Sequence, residues 1–281
     1  MNYKDRYSIG EVSQICNVSK KALRHYDKIG LIKSERSCNN NYRYYSNESL
    51  LAVPVIKYYK QMGFKLDEMK DFIEGTVDAR GRIYTSIKRS FNAKIDELKK
   101  AQEEIRRQYE SVKDWHDLIL EAEMVIDNNI QEVAVKYVEA SDYLFHDQIF
   151  TNNIEASIIN IEFTNYVEKV NNEITGPVLI NFSSFEDRLQ NKHQPVRIMQ
   201  KTLRECKEHE KMTFGGQMMI TCYHIGSHKT INETYEKICT WARRHRYVLG
   251  KKSYERYVTD YWTTRKSSKF VTEVMINVSR N

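Results

Sequence analysis

The sequence predicts an α+β chain in three parts: an N-terminal winged helix-turn-helix, one long helix with a coiled-coil seam, and a C-terminal duplicated β-α-β-β region. Three observations lead there. Residues 1–65 hold 12 Lys/Arg against 5 Asp/Glu and residues 66–281 hold 32 against 33, so the net charge of +6 divides into +7 and −1. Apolar residues recur every seven positions from Phe91 to Ile119. After Asp127 the pattern becomes alternating and β-rich, in the order strand, helix, strand, strand, twice over. The expected domains are 1–75, 80–121 and 130–281.

A basic head on a near-neutral body is the electrostatic footprint of a nucleic-acid binder. With 41% hydrophobic residues the chain can bury a core, which excludes wholesale disorder. Its longest apolar run, Leu50–Ile56, is far short of the ~20 residues that cross a bilayer. The first residues lack the apolar stretch of a secretory signal. Five scattered cysteines (Cys16, Cys38, Cys206, Cys222 and Cys239) form no C-x-x-C pair. A reducing, cytoplasmic setting is therefore expected, with no disulfide framework, metal site or cofactor.

In the head, Ser8 and Glu11 form a capping box, and Ile9, Val12 and Cys16 give the first helix one apolar face. Asn17-Val18-Ser19 breaks it, and Ser19 can cap a second helix, 20–29. Ala22, Leu23 and Tyr26 would pack back on the first helix while Lys20, Lys21 and Arg24 point outward. This is a helix-turn-helix pattern with a basic second helix; it also fits an αα-hairpin in some other helical domain. Short extended runs around the turn-prone Ser37–Asn41 suit a two-stranded wing, whose second strand carries Tyr42, Arg43, Tyr44 and Tyr45. Arg and Tyr are side chains that bond phosphate oxygens. Ser46 can cap a helix to about Met62, with Lys57 and Lys60 near its end, and a shorter helix, 66–73, follows.

From about 80 to 120, Phe91, Leu98, Ile105, Val112 and Ile119 form a heptad seam, with Ile95 and Tyr109 four positions after two of them. Charged residues between them complete a coiled-coil signature, and a homodimer is its natural outcome. A lone amphipathic helix is the alternative. Beyond it, strands are expected at 132–138, 174–182, 195–203, 216–225, 251–262 and 269–278, with helices at 154–170 and 230–245. Such a duplication would join two sheets about a pseudo-two-fold axis.

In order and spacing, Ser8-Ile9-Gly10-Glu11-Val12, residues 21–31 (KALRHYDKIGL), Tyr42-Arg43-Tyr44-Tyr45-Ser46 and residues 62–70 (MGFKLDEMK) resemble the winged-helix head of MerR-family transcription regulators. The duplicated region looks like the GyrI-like effector-binding domain of the multidrug-sensing, BmrR-type branch. The resemblance implies a homodimer, joined by antiparallel pairing of the long helix, on double-stranded promoter DNA. Its ligand would bend and untwist a promoter whose elements are set too far apart, which helps RNA polymerase indirectly. Smooth bending of this kind costs on the order of 1–6 kcal/mol.

Carried over position by position, the resemblance implies DNA contacts at Arg24, Tyr26, Tyr42, Arg43 and Tyr45, with Lys20, Lys21, Lys33, Lys57 and Lys60 as phosphate partners. His25 stands where near relatives often carry a second Tyr, so its contact is either pH-dependent or lost.

On residues 253–262 (SYERYVTDYW), alternation puts Glu255, Tyr257 and Tyr261 on one face and Tyr254, Arg256, Asp260 and Trp262 on the other. A carboxylate beside two tyrosines is a place to hold a cation. The resemblance also puts a buried acid at Glu255; the alternative is a solvent-facing strand residue beside core tyrosines. Phe182, Phe185, Tyr223, Ile225 and Phe270 could line the same cavity, or simply be core. Ser267-Ser268 stand where relatives carry acids, which tells against strongly cationic ligands. His224 and His228, four apart with no third ligand nearby, read as structural.

The expected effector is thus a small hydrophobic or cationic molecule. Other readings are a hydrolase with Glu255 as general base, or a protein-binding domain; no G-x-S-x-G or H-E-x-x-H motif supports the former.

Overall fold

The computed structural model describes residues 4–36, 42–73 and 83–280. The chain divides into two compact units, 1–103 and 104–281.

The first unit opens with β1 (Tyr7–Ser8), α1 (Ile9–Cys16) and α2 (Lys20–Lys28). Ser8 closes the predicted capping box: its Oγ accepts from the Glu11 amide at 3.3 Å, and the Glu11 carboxylate accepts from the Ser8 amide at 2.8 Å. The Ser8 amide, then Lys4, hold the Glu11 carboxyl down at about 2. Asn17 stops α1 in the left-handed region, and Ser19 caps α2 through the Ala22 amide at 3.1 Å. The wing strands β2 (Ser34–Arg36) and β3 (Arg43–Tyr45) pair antiparallel, and β1 completes a sheet of order β1-β3-β2. The predicted wing turn and Cys38 lie outside the described residues. Helices α3 (Asn47–Gln61) and α4 (Leu66–Ile73) follow, around a core that includes Val12, Leu23, Val53 and Ile56.

The long helix is α5 (Ile83–Asp127). Phe91 fixes its start to the first unit, with ring centroids 5.1 Å from Phe64 and 6.2 Å from Tyr59. Leu118, Ala122 and Val125 at its far end belong to the core of the second unit, with Val258 and Val271. Between these anchors the predicted seam is bare: Ile105 is 64% and Val112 69% exposed.

The second unit contains β4 (Ala134–Val138), β5 (Ser141–Phe150), α6 (Ile154–Ile158), α7 (Ile161–Lys169), β6 (Ile174–Phe182), α8 (Phe185–Leu189), β7 (Gln194–Thr202), β8 (Lys211–Phe214), β9 (Gln217–Ile225), α9 (Asn232–Arg244), β10 (Tyr247–Thr259) and β11 (Val271–Arg280). All strands join one antiparallel sheet of order β4-β9-β11-β10-β6-β7-β5-β8. The expected duplication is visible as β5-α6/α7-β6-β7 and β9-α9-β10-β11, with β6 and β10 paired at the centre.

Three expectations are corrected. There is a single sheet where two were expected, because β6 and β10 pair directly. The first repeat begins with the unforeseen β5; β4, taken for its first strand, pairs with β9 of the other half, and β8 reciprocally pairs with β5. The helix expected over 154–170 is two helices, since Asn160 caps α7 through the Phe163 amide at 2.7 Å. Where the β4–β5 and β8–β9 connections meet, the Gly216 amide donates to the Val138 carbonyl at 2.7 Å. A Cβ on Gly215 would lie 2.1 Å from the Glu139 carbonyl oxygen, so only glycine fits there.

Candidate functional site

In the first unit, α2 turns Leu23 and Tyr26 inward and presents Lys20, Lys21, Arg24 and His25 to solvent. Asp27 ties this helix to the wing. Its carboxylate accepts from the Ser34 amide at 3.1 Å, the Ser34 hydroxyl at 2.8 Å and Arg43 Nε at 2.9 Å. Lys33, Tyr42 and Lys60 are exposed. Lys57 is exposed too, but its ammonium donates to the Cys16 carbonyl at 3.1 Å, closing the end of α1. Two expected contacts need correction. Tyr26 is 4% and Tyr45 0% exposed, because both rings fill the core beneath the basic face.

In the second unit, Glu255 sits mid-sheet on β10, opposite Ile180 of β6 and Val274 of β11, and is fully buried. Its carboxylate is surrounded by donors. Arg188 on α8 gives Nε to Oε1 at 2.8 Å and Nη2 to Oε2 at 3.5 Å. Tyr257 donates to Oε2 at 2.6 Å. The Tyr235 hydroxyl on α9 lies 2.9 Å from Oε1 and 2.9 Å from Ser253 Oγ; with one proton, it donates to the carboxylate and accepts from the serine. Burial, then the Glu255 charge, push both tyrosine hydroxyls well above their ordinary range. Burial pulls the Arg188 guanidinium down, but the Glu255 charge, the Tyr235 and Tyr257 hydroxyls and the hydrogen bond to Glu255 together outweigh it, and the net direction is up. Arg188 also lies over the Phe182 ring at 5.0 Å and the Phe150 ring at 5.3 Å.

Beside this pair lies an aromatic cluster. The His228 ring stacks on Phe270 at 4.9 Å and meets Tyr257 at 5.2 Å and Tyr261 at 5.6 Å; Tyr261 in turn meets Phe270 at 4.8 Å. His228 is 5% exposed, and neither ring nitrogen has a hydrogen-bond partner. Burial pushes it down to about 4, so the ring is neutral near pH 7. His224 differs: its Nε2 is 2.9 Å from the Ser227 carbonyl and its Nδ1 3.0 Å from the Thr234 hydroxyl, so both nitrogens are satisfied.

Residues 7–76 match the MerR HTH family of regulatory proteins, and residues 131–279, more than half of the chain, match the GyrI-like small molecule binding domain. The multidrug-efflux transporter 1 regulator of Bacillus subtilis is 32% identical over 198 residues, covering 62% of this chain and 69% of that protein. This chain belongs to the MerR-family regulators with a GyrI-like domain. The multidrug-efflux transporter 2 regulator of the same organism is 38% identical over 100 residues, 35% of this chain and 37% of that protein. A solved chain from an EcmrR–DNA complex aligns over 98% of this chain and 100% of its own, with a TM-score of 0.47 and 18% identity.

In this MerR-family regulator, the sheet brings together five of the eight residues expected around the effector: Glu255, Tyr257, Tyr261, Phe182 and Phe270. Phe185 is in the adjoining core cluster with Tyr235. Tyr223 and Ile225 are corrected. They pair with Glu273 and Val271 and pack with α5, on the sheet face opposite Glu255. Tyr261 reaches the cluster from the turn after β10, not by strand alternation, because β10 ends at Thr259 with an irregular register after Tyr257.

On that opposite face the regulator carries a second charged knot. Arg256 bonds Glu121 of α5 through both terminal nitrogens and Glu273 through Nε at 2.8 Å, and the Tyr223 hydroxyl donates to Glu121 at 2.7 Å. Arg188, Tyr235 and Glu121 are absent from the sequence reading, and His228 reads there as structural. Of these, His228 alone left a signal, as one of two histidines four apart.

Proposed function

We propose that this chain acts as a homodimeric transcription activator that grips promoter DNA with α2 and the wing and responds to a small aromatic effector at the Glu255 face of the GyrI-like domain. The single observation that carries this reading is the buried Glu255 and its aromatic surroundings in a chain that also presents a basic recognition helix. Lys20, Lys21, Arg24 and Arg43 would reach phosphates and bases, and Lys33, Tyr42 and Lys60 would flank them. The bare heptad seam of α5 supports pairing with a second copy. Ligand binding would favour the bent, untwisted promoter that RNA polymerase can use.

Sensing is favoured over hydrolysis by the state of Glu255. A carboxylate taking donors from Arg188, Tyr235 and Tyr257 is a poor general base. Among the described residues no helix is long and apolar enough to cross a membrane.

The test is a salt-dependent gel shift with the promoter region of the chain's own gene, followed by purified transcription with and without effector. Wild type should shift the DNA and Arg43→Ala should not. Equal binding by the variant would remove the wing from the interface.

A further inference from the structure

Both elements that recognise a cation are present at Glu255, and both are occupied by the chain itself. The carboxylate is met by Arg188 at 2.8 Å, and the aromatic faces of Phe150 and Phe182 lie against the same guanidinium. Arg188 is 4% exposed, so this is a desolvated pair rather than a surface contact. A second cation brought to the carboxylate would meet a like charge, with no water to screen it. What stays unsatisfied on this face is neutral. The two ring nitrogens of His228 are buried without partners between Phe270, Tyr257 and Tyr261. A neutral imidazole offers one N–H donor and one acceptor, and its aromatic neighbours offer stacking.

We propose that the effector is an uncharged aromatic molecule with a hydrogen-bonding group that engages His228, and that Arg188 is a tethered cation that excludes cationic ligands. This rests on the reading of the Glu255 face as the effector site. Arg188 then sets specificity by filling the place of a ligand cation, and His228 supplies the polar contact that the ligand completes. Buried polar groups discriminate strongly, because a ligand that leaves them unpaired forfeits their desolvation.

The experiment is calorimetric titration of the full-length protein with two probes of similar shape, tetraphenylphosphonium and the neutral triphenylphosphine oxide, whose oxygen can accept from an imidazole N–H. Wild type is expected to bind the oxide about tenfold or more tighter than the phosphonium, and Arg188→Gln to reverse that order. His228→Phe should weaken the oxide about tenfold or more. Preference of wild type for the phosphonium overturns the proposal and leaves the effector site standing. Failure of both probes to bind either wild type or Arg188→Gln removes the effector-site reading itself, and the proposal with it. Should Arg188→Gln not fold, Arg188→Lys keeps a cation and must keep the preference for the oxide; loss of that preference overturns the proposal.

Discussion

Glu255 and Arg256 are neighbours on β10, and each is held by a charged partner from a different helix on opposite faces of the sheet: Arg188 of α8 for Glu255, Glu121 of α5 for Arg256. Whatever moves this strand on the Glu255 face therefore acts on the attachment of the long helix. Glu121→Gln is expected to leave triphenylphosphine oxide affinity within about twofold of wild type, lower unfolding stability by about 1–3 kcal/mol, and reduce effector-dependent activation. Calorimetry, urea titration and purified transcription read the three quantities. Full activation by the variant would show that this pair does not carry the coupling.

The head separates exposed basic residues from core residues. Arg24→Ala should weaken promoter binding and make the dependence of log affinity on log salt shallower by roughly one unit. Tyr26→Phe should leave affinity unchanged, because the ring is buried and stays, whereas Tyr26→Ala should cost about 3–5 kcal/mol of stability. Gel shifts at several salt concentrations and thermal melts distinguish the two roles. A tenfold loss of affinity in Tyr26→Phe would restore that hydroxyl to the interface.

Acid should loosen the second unit through His228. Its value of about 4 in the folded chain lies below the 6.5 of an unperturbed imidazole, so the unfolded state takes up protons first as pH falls. Stability is full above pH 6.5 and drops between 6.5 and 4, by up to about 3 kcal/mol from this group. Urea midpoints measured across that range should fall less steeply in His228→Phe. An unchanged slope in the variant would assign the acid sensitivity elsewhere.

Asp260 works in the opposite direction. Burial pushes its carboxyl up to about 6 against an ordinary 3.8, offset in part by the Trp262 amide at 2.8 Å. The folded state binds the extra proton between these values, so stability declines as pH rises from about 4 to 6 and stays lowered above. Asp260→Asn keeps an acceptor for Trp262 and should stabilise the protein at pH 7 by about 1–3 kcal/mol, with no gain at pH 3. A thermal shift of the same size at both pH values would contradict this.

The head was readable because its signals are local. Ser8, Ser19 and Ser46 each cap the helix that follows through the amide three residues ahead, and the apolar side of α2 follows from spacing alone. On β10, period-2 alternation placed Glu255 and Tyr257 together correctly. Their partners were hidden by distance in the chain: Arg188 lies 67 residues from Glu255 and Tyr235 lies 20, on helices whose sequences give no hint of a shared target. The strand β5 escaped because it sits near the sheet edge, with Leu144 and Phe150 its only fully buried residues, so its alternation is faint. The DNA contacts expected of Tyr26 and Tyr45 came from the family resemblance, whereas helical spacing already turned Tyr26 inward and the pairing with β1 places Tyr45 in the core.

The reciprocal pairing of β4 with β9 and β8 with β5 also governs how the protein can be made. On the ribosome, β4 emerges early, but its partner strand follows roughly 80 residues later, a wait on the order of 4–16 s at ~5–20 residues per second. Neither half completes its sheet from its own residues, so β4 is an open hydrogen-bonding edge until β9 has emerged to cover it.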